Sequence, residues 1–174
     1  MGIIDSSGWI LPPDKLKGKS ARRMVRRLEP GENGQWEFVI YQGAKRGGTS
    51  RVTLTQRDVR ELQLAGGAIS SGIRILLKMT GRSAKELDQV LLTGAFGHYL
   101  NPASAIRIGL ISGVSLERIQ SIGNAAGLGA RLALLDTEKL EESCHLAAGM
   151  EFVELAALPD WQDEFTESMF FPER

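Results

Sequence analysis

The run Trp36-Glu37-Phe38-Val39-Ile40-Tyr41 alternates and is rich in β-formers, which predicts a strand. Gly43 and Gly47-Gly48 turn the chain, and Arg51-Val52-Thr53-Leu54 reads as the second strand of a loose hairpin. Thr55-Gln56-Arg57-Asp58 supplies a helix N-cap with an acid three residues on. From there Val59, Leu62, Ile69, Ile73, Leu76 and Leu77 recur at helical spacing, so a long helix runs to Met79. Gly66, Gly67 and Gly72 lie inside it. Each costs about 1 kcal/mol relative to alanine, so either close packing or a ligand against that face has to account for them.

Beyond Gly81 the pattern alternates between strand and helix. Ser83-Ala84-Lys85-Glu86 is a capping box on one helical turn, and 88–93 is an apolar strand stopped by Gly94-Ala95-Phe96-Gly97. Asn101-Pro102 starts a helix through Ile106 and Ile108 that ends at Gly109. A short strand over 118–122 is broken by Gly123-Asn124, and a small-residue helix follows from Ala125 to Leu135. Thr137 is expected to cap a further helix to Ala148, 151–155 to form a last strand, and Asp160 to cap a terminal helix reaching Phe170. Such alternation predicts an α/β layered domain. Residues 1–35 carry Pro12-Pro13, Pro30-Gly31, Asn33-Gly34 and a basic cluster of Arg22, Arg23, Arg26 and Arg27, and read as an irregular arm or linker before a body over 36–174. The basic cluster reads as a solvated face and only secondarily as a docking patch.

Composition narrows the function classes. The 174 residues carry 21 Lys+Arg against 21 Asp+Glu, which removes the electrostatic case for nucleic acid. With 43% hydrophobic and 24% charged residues the chain can bury an ordinary core. No apolar run nears the ~20 residues that span a bilayer, and no signal-peptide pattern opens the chain. Met1-Gly2-Ile3-Ile4-Asp5-Ser6 fits the myristoylation pattern, but nothing polybasic follows closely as a second anchor. The expectation is a cytoplasmic protein without membrane attachment. Glycine is the outlier, at 20 of 174 residues against a usual ~7%.

Familiar chemistry is excluded motif by motif. Gly18-Lys19-Ser20 resembles the end of a phosphate-binding P-loop, but the required first glycine is Pro13 and no strand precedes it. The glycines of 123–129 have the wrong spacing for a dinucleotide fingerprint. Cys144 is the single cysteine, and His98 and His145 are far apart, so no metal set is expected. No catalytic triad or singled-out carboxylate pair is visible, and no catalytic residue is assigned. What remains is two glycine turns, 94–97 and 123–127, each after an apolar strand. Ligands of open α/β folds sit at that end of the strands, although such turns also occur for purely structural reasons.

These same residues carry a family resemblance. Val52-Thr53-Leu54-Thr55-Gln56-Arg57-Asp58-Val59-Arg60-Glu61-Leu62-Gln63-Leu64-Ala65 and Leu91-Leu92-Thr93-Gly94-Ala95-Phe96-Gly97-His98-Tyr99-Leu100-Asn101-Pro102 resemble the C-terminal part of the reductive activators of corrinoid proteins. Ala105-Ile106-Arg107-Ile108-Gly109-Leu110, Gly123-Asn124-Ala125-Ala126-Gly127 and the closing Phe170-Phe171-Pro172 do so too, and the likeness covers about 36–173. The resemblance implies a ribonuclease-H-like, actin-like ATPase C-terminal subdomain. In that family ATP drives electron transfer to cob(II)alamin of a corrinoid protein in a methyltransferase system. Gly94, Ala95, Phe96 and Gly97 would be the adenosine-side motif, Gly123 and Asn124 would open a connection between subdomains, and Gln63, Gly66 and Gly67 would flank the nucleobase.

Departures from the family accompany the likeness. Members carry lysine where this chain has Gly66, and both acidic-Gly-Thr phosphate loops and the cluster cysteines are absent. ATP or ADP with Mg²⁺ would therefore be shared with an upstream part that also carries the iron–sulfur cluster, and the chain by itself should hydrolyse nothing. The rival expectation is a non-enzymatic docking or oligomerisation module for a corrinoid or methyltransferase partner, including a homodimer, motivated by the basic arm and by Trp161, Phe165, Phe170 and Phe171. A stand-alone small-molecule kinase lacks its phosphate loop.

Overall fold

The structure is a computed structural model, and it describes residues 2–16, 23–31, 33–43 and 50–173. The Gly47-Gly48 turn, Gly18-Lys19-Ser20 and Arg22 lie outside the described residues, and of Phe96 only the backbone is described. The fold is mixed α/β, mostly helical with two small sheets. The chain divides into two units, Met1–Ser71 with Asp163–Arg174, and Gly72–Gln162.

In the first unit, β1 (Leu28–Pro30), β2 (Trp36–Tyr41) and β3 (Val52–Leu54) form an antiparallel sheet in that order. Leu28 pairs with Phe38 and Phe38 with Leu54, so three apolar residues stand in a row across one face. The register shifts between Val39 and Tyr41, where β2 passes from a buried to an exposed position. The core gathers Ile10, Leu28 and Val59, with Ile4, Leu16, Trp36, Phe38, Leu54 and Phe171 packed against them. The segment read from sequence as an irregular arm thus contributes Ile10 and Leu28 to this core. Gln56 fastens it: its amide oxygen accepts from Ile10 N at 3.0 Å and its amide nitrogen donates to Gly8 O at 2.6 Å. A buried glutamine is tolerable because both ends are bonded.

Helix α1 (Gln56–Met79) starts as its sequence dictates. The Asp58 carboxylate accepts from Thr55 N and Oγ1 at 2.8 and 2.7 Å, and Asp58 N donates back to Thr55 Oγ1 at 3.2 Å. The Thr55 N–H, then its hydroxyl, holds the Asp58 carboxyl below the usual carboxylate range. The buried stripe matches the apolar one that the spacing suggests only in part, at Val59, with Ile69, Ile73 and Leu77 half-buried. It runs through Gln56, Val59, Gln63, Gly67, Ser70, Ser71 and Ile75, while Leu62 and Leu76 are exposed. Small and bonded residues win because neighbouring chain comes close. A Cβ on Gly67 would lie 2.9 Å from Met169 Cγ, and one on Gly72, in the second unit, 3.1 Å from Leu155 Cδ1.

The second unit is organised on two parallel strands, β4 (Val90–Leu92) and β5 (Ile119–Ser121), with Val90 opposite Ile119 and Leu92 opposite Ser121. Between them come α2 (Gly94–Tyr99) and α3 (Pro102–Arg107), the latter capped by Asn101 Oδ1, which accepts from Ser104 N at 2.9 Å. Ala105, Leu110, Ile111, Val114 and Ile119 are the buried apolar residues of this segment. Arg118 donates to the carbonyls of Lys85 and Leu87 at 2.6 and 2.8 Å, pinning the turn before β5 to the one before β4. After β5, α4 (Ala125–Leu135) and α5 (Thr137–Ala148) pack on each other.

Three local expectations are corrected. Asp136, not Thr137, caps α5, its carboxylate accepting from Glu138 N at 2.9 Å. Residues 151–155 form no strand, because the sheet offers them no neighbour; Phe152 is 87% exposed and a 3₁₀ turn follows at Leu155–Ala157. Helix α6 (Trp161–Ser168) stops short of Phe170, and the Asp160 carboxylate pairs with the Lys78 ammonium. Of the four terminal aromatics, Trp161, Phe165 and Phe171 are half-buried and Phe170 is exposed. Among the described residues no helix is long and apolar enough to cross a membrane.

Candidate functional site

The two glycine turns meet at the carboxyl ends of β4 and β5. Because these strands are parallel and in register at Leu92 and Ser121, the residues after each emerge side by side. Ile122 N donates to Leu92 O at 2.9 Å and Gly94 N to Gly123 O at 2.8 Å, so the ladder continues past the strands into the turns. Gly94 and Gly123 adopt φ of +66° and +65°, the left-handed region that glycine enters without penalty. Gly97 is buried behind them. A Cβ there would stand 2.7 Å from Leu92 O and 3.1 Å from both Gly123 N and Gly123 O. By contrast, among the described residues nothing lies within 4 Å of a Cβ on Gly94, so that side of the first turn is open to them.

Thr93 joins the turns, and sequence reasoning did not single it out. Its hydroxyl donates to Gly123 O at 3.0 Å and accepts from Ala125 N at 3.2 Å. A hydroxyl residue immediately before a strand-ending glycine was the available signal. Asn124 is the N-cap of α4, its Oδ1 accepting from Gly127 N at 2.9 Å. The side-chain NH₂ is then its remaining polar group. His98 closes the other side: its Cε1 lies 3.6 Å from where a Cβ on Gly123 would be. The backbone of Gly94, Ala95, Phe96, Gly97, Gly123 and Asn124 is therefore one neighbourhood, open at Gly94 and bordered by His98 at Gly123.

The three candidates on α1 belong to the first unit. Gln63 is 5% exposed and its amide is fully engaged. Its nitrogen donates to Ser7 O at 3.2 Å and Met169 O at 2.8 Å, and its oxygen accepts from Arg60 at 3.0 Å. Gly67 is closed over by Met169 and Phe165, whereas a Cβ on Gly66 would meet nothing within 4 Å.

An adenosine moiety fits the paired turns in one respect that the structure supplies: an open approach to glycine backbone beyond parallel strand ends. Mg²⁺ and an iron–sulfur cluster do not find donor sets here. Among the described residues no three His, Cys, Asp or Glu side chains gather to hold a metal, and Cys144 is one exposed thiol.

The chain is thus a mixed α/β domain whose two glycine turns stand side by side at the carboxyl ends of parallel strands. The family model described as the C-terminal domain of RACo, the ASKHA domain, matches residues 3–174. The chain belongs to this family, the C-terminal domain of the reductive activators of corrinoid proteins. It is 31% identical over 170 residues to the corrinoid activation enzyme RamQ of Eubacterium limosum, a match covering 98% of this chain and 28% of that protein. It is 28% identical over 96 residues to the [Co(II) methylated amine-specific corrinoid protein] reductase of Methanosarcina barkeri, covering 55% of this chain and 18% of that one. Among solved structures, a reductive activator for corrinoid, iron–sulfur protein superposes with a TM-score of 0.79 at 32% identity, over 98% of this chain and 26% of the other. The chain thus spans little more than a quarter of the relatives that it matches along nearly its whole length.

Proposed function

We propose that this domain is the adenosine-side part of the nucleotide cleft in an ATP-dependent reductive activator of a corrinoid protein, with a ribonuclease-H-like arrangement in its second unit. The observation that carries the reading is the junction of the two glycine turns, with Gly94 N on Gly123 O at 2.8 Å and open space before Gly94. Gly94, Ala95, Phe96, Gly97, Gly123 and Asn124 hold the nucleoside. Phosphate loops, Mg²⁺ ligands and the iron–sulfur cluster belong to other parts of such an activator, so the isolated 174 residues hydrolyse no ATP. When bound in the whole activator, ATP supplies the free energy for reducing the cobalt of a partner corrinoid protein.

The test is an amide-resolved NMR titration of the chain with adenosine, which needs no phosphate loop. Shifts centred on Gly94, Gly97, Gly123 and Asn124 are the expected result. Millimolar adenosine that leaves those amides unmoved, or ATP turnover by the pure chain, overturns the reading.

A second, non-catalytic reading is favoured by the α4–α5 region. Helix α4 has one charged residue in 11, Leu134 is 84% exposed, and Leu135, Leu146 and Met150 are also open. A helix apolar nearly all round belongs under a partner surface. Sedimentation of the chain across a wide concentration range separates the two readings: self-association abolished by Leu134→Lys and Leu135→Lys, with no response to adenosine, is what docking alone predicts.

A further inference from the structure

Around the paired turns the described surface offers one aromatic pair. Helix α2 begins at Gly94 and ends at His98 and Tyr99. The His98 ring lies against Gly123, and Tyr99 meets it edge to face, with centroids 6.1 Å apart and planes at 71°. Tyr99 is nonetheless 88% exposed. An edge-to-face neighbour orients an aromatic ring without covering both of its faces, so a flat partner can still stack on it. Leu91 and Ile122, which flank the turns in sequence, are exposed as well. Exposed apolar and aromatic residues therefore flank both turns along the chain.

Resting on the nucleoside reading above, we infer that Tyr99 is the nucleobase platform of the site and that His98 is its positioning residue. The base stacks on the open face of the Tyr99 ring, while the sugar side lies toward the glycine backbone of 94–97 and 123. His98 does not need to touch the base. It packs between Gly123 and Tyr99 and fixes the ring's orientation. The chemical class that such a platform selects is a planar, apolar-faced base, with little discrimination by hydrogen bonding.

The experiment is an NMR titration of the chain with adenosine and, in parallel, with ribose, reading the tyrosine ring protons together with the glycine amides. The chain has two tyrosines, and Tyr41, in the first unit, is the internal control. Adenosine is expected to shift the Tyr99 ring protons upfield and leave those of Tyr41 in place, with ribose doing neither. Tyr99→Ala should weaken adenosine about 5- to 160-fold, the range for losing one base–aromatic stack. Tyr99→Phe should stay within about twofold, since it keeps the ring. His98→Ala should weaken adenosine less than Tyr99→Ala does, and should broaden the Tyr99 ring signals even without ligand. If the glycine amides shift but the Tyr99 ring does not, or if Tyr99→Ala binds as tightly as the parent, the platform is refuted and the nucleoside site stands. If no glycine amide moves, both fall together.

Discussion

Two adjacent glycines on α1 offer a sharp test of how packing, not propensity, decides the worth of a residue. Gly66 and Gly67 sit mid-helix, where each costs about 0.5–1 kcal/mol relative to alanine. At Gly66 an added Cβ meets nothing within 4 Å, so Gly66→Ala should stabilise the protein by the full propensity gain of about 0.5–1 kcal/mol. At Gly67 the same methyl would stand 2.9 Å from Met169 Cγ and 3.4 Å from both Met169 N and Phe165 Cε2. Met169 is held there, because its own carbonyl accepts from Gln63 at 2.8 Å. Overpacking costs about 1–3 kcal/mol, which offsets the propensity gain and leaves Gly67→Ala destabilising by up to about 2.5 kcal/mol. Urea unfolding followed by circular dichroism reads both, and in a melt the two variants should move Tm in opposite directions at ~2–4 °C per kcal/mol. Met169→Ala in the Gly67→Ala background should recover part of the loss, a coupling that only direct contact produces. The reasoning is refuted if the two glycine variants change stability with the same sign and similar size, or if Met169→Ala gives no recovery.

Three other outcomes follow from distances already given. Gly97→Ala places a methyl against backbone of the β4 end and of the second turn, which no rotamer can relieve, and should cost more than about 2 kcal/mol in a denaturant titration; a neutral result would mean that the turns are not packed as described. Thr93→Val removes a donor and an acceptor at the junction and should lose about 1 kcal/mol while speeding hydrogen exchange at Gly94 N, with Thr93→Ser close to the parent in both measurements. The Asp58 carboxyl is held below its ordinary value by the Thr55 N–H and hydroxyl, so its contribution is complete above the unfolded value near ~4 and fades as pH falls through the lower folded value. Stability of Asp58→Ala should accordingly trail the parent at pH 7 and converge with it in strong acid; a gap that persists there would assign the loss to something other than the charge.

Much of the local structure was legible because short-range chemistry determines it. The Thr55/Asp58 and Ser83/Glu86 boxes and the Asn101 cap are complete within four residues of chain, and the helices start there. Strands 36–41 and 90–92 were legible from β-branched and apolar runs. Residues 151–155 have a similar run and no strand, since a strand exists only where a neighbour offers its backbone. The apolar stripe of α1 misled for a related reason: periodicity reports which residues could be buried, while contact with 163–171 and the N-terminal segment in the first unit selected Gln56, Gln63 and Gly67 instead. At the site, the glycine turns were visible as motifs, but Thr93 and the His98–Tyr99 pair acquire meaning only from a partner turn some 30 residues away.

By itself, then, the sequence determined where α1, α3 and α4 begin, where the two glycine turns fall and which family the chain resembles, since each rests on contiguous residues or on motifs that survive without a fold. Tertiary structure alone decided that Gly94 and Gly123 share a hydrogen bond, that Gln63 is spent on Ser7 and Met169, and that Ile10 belongs to a core. Those outcomes depend on pairing in register and on close approach between distant segments. A one-dimensional pattern constrains such approach but does not specify it.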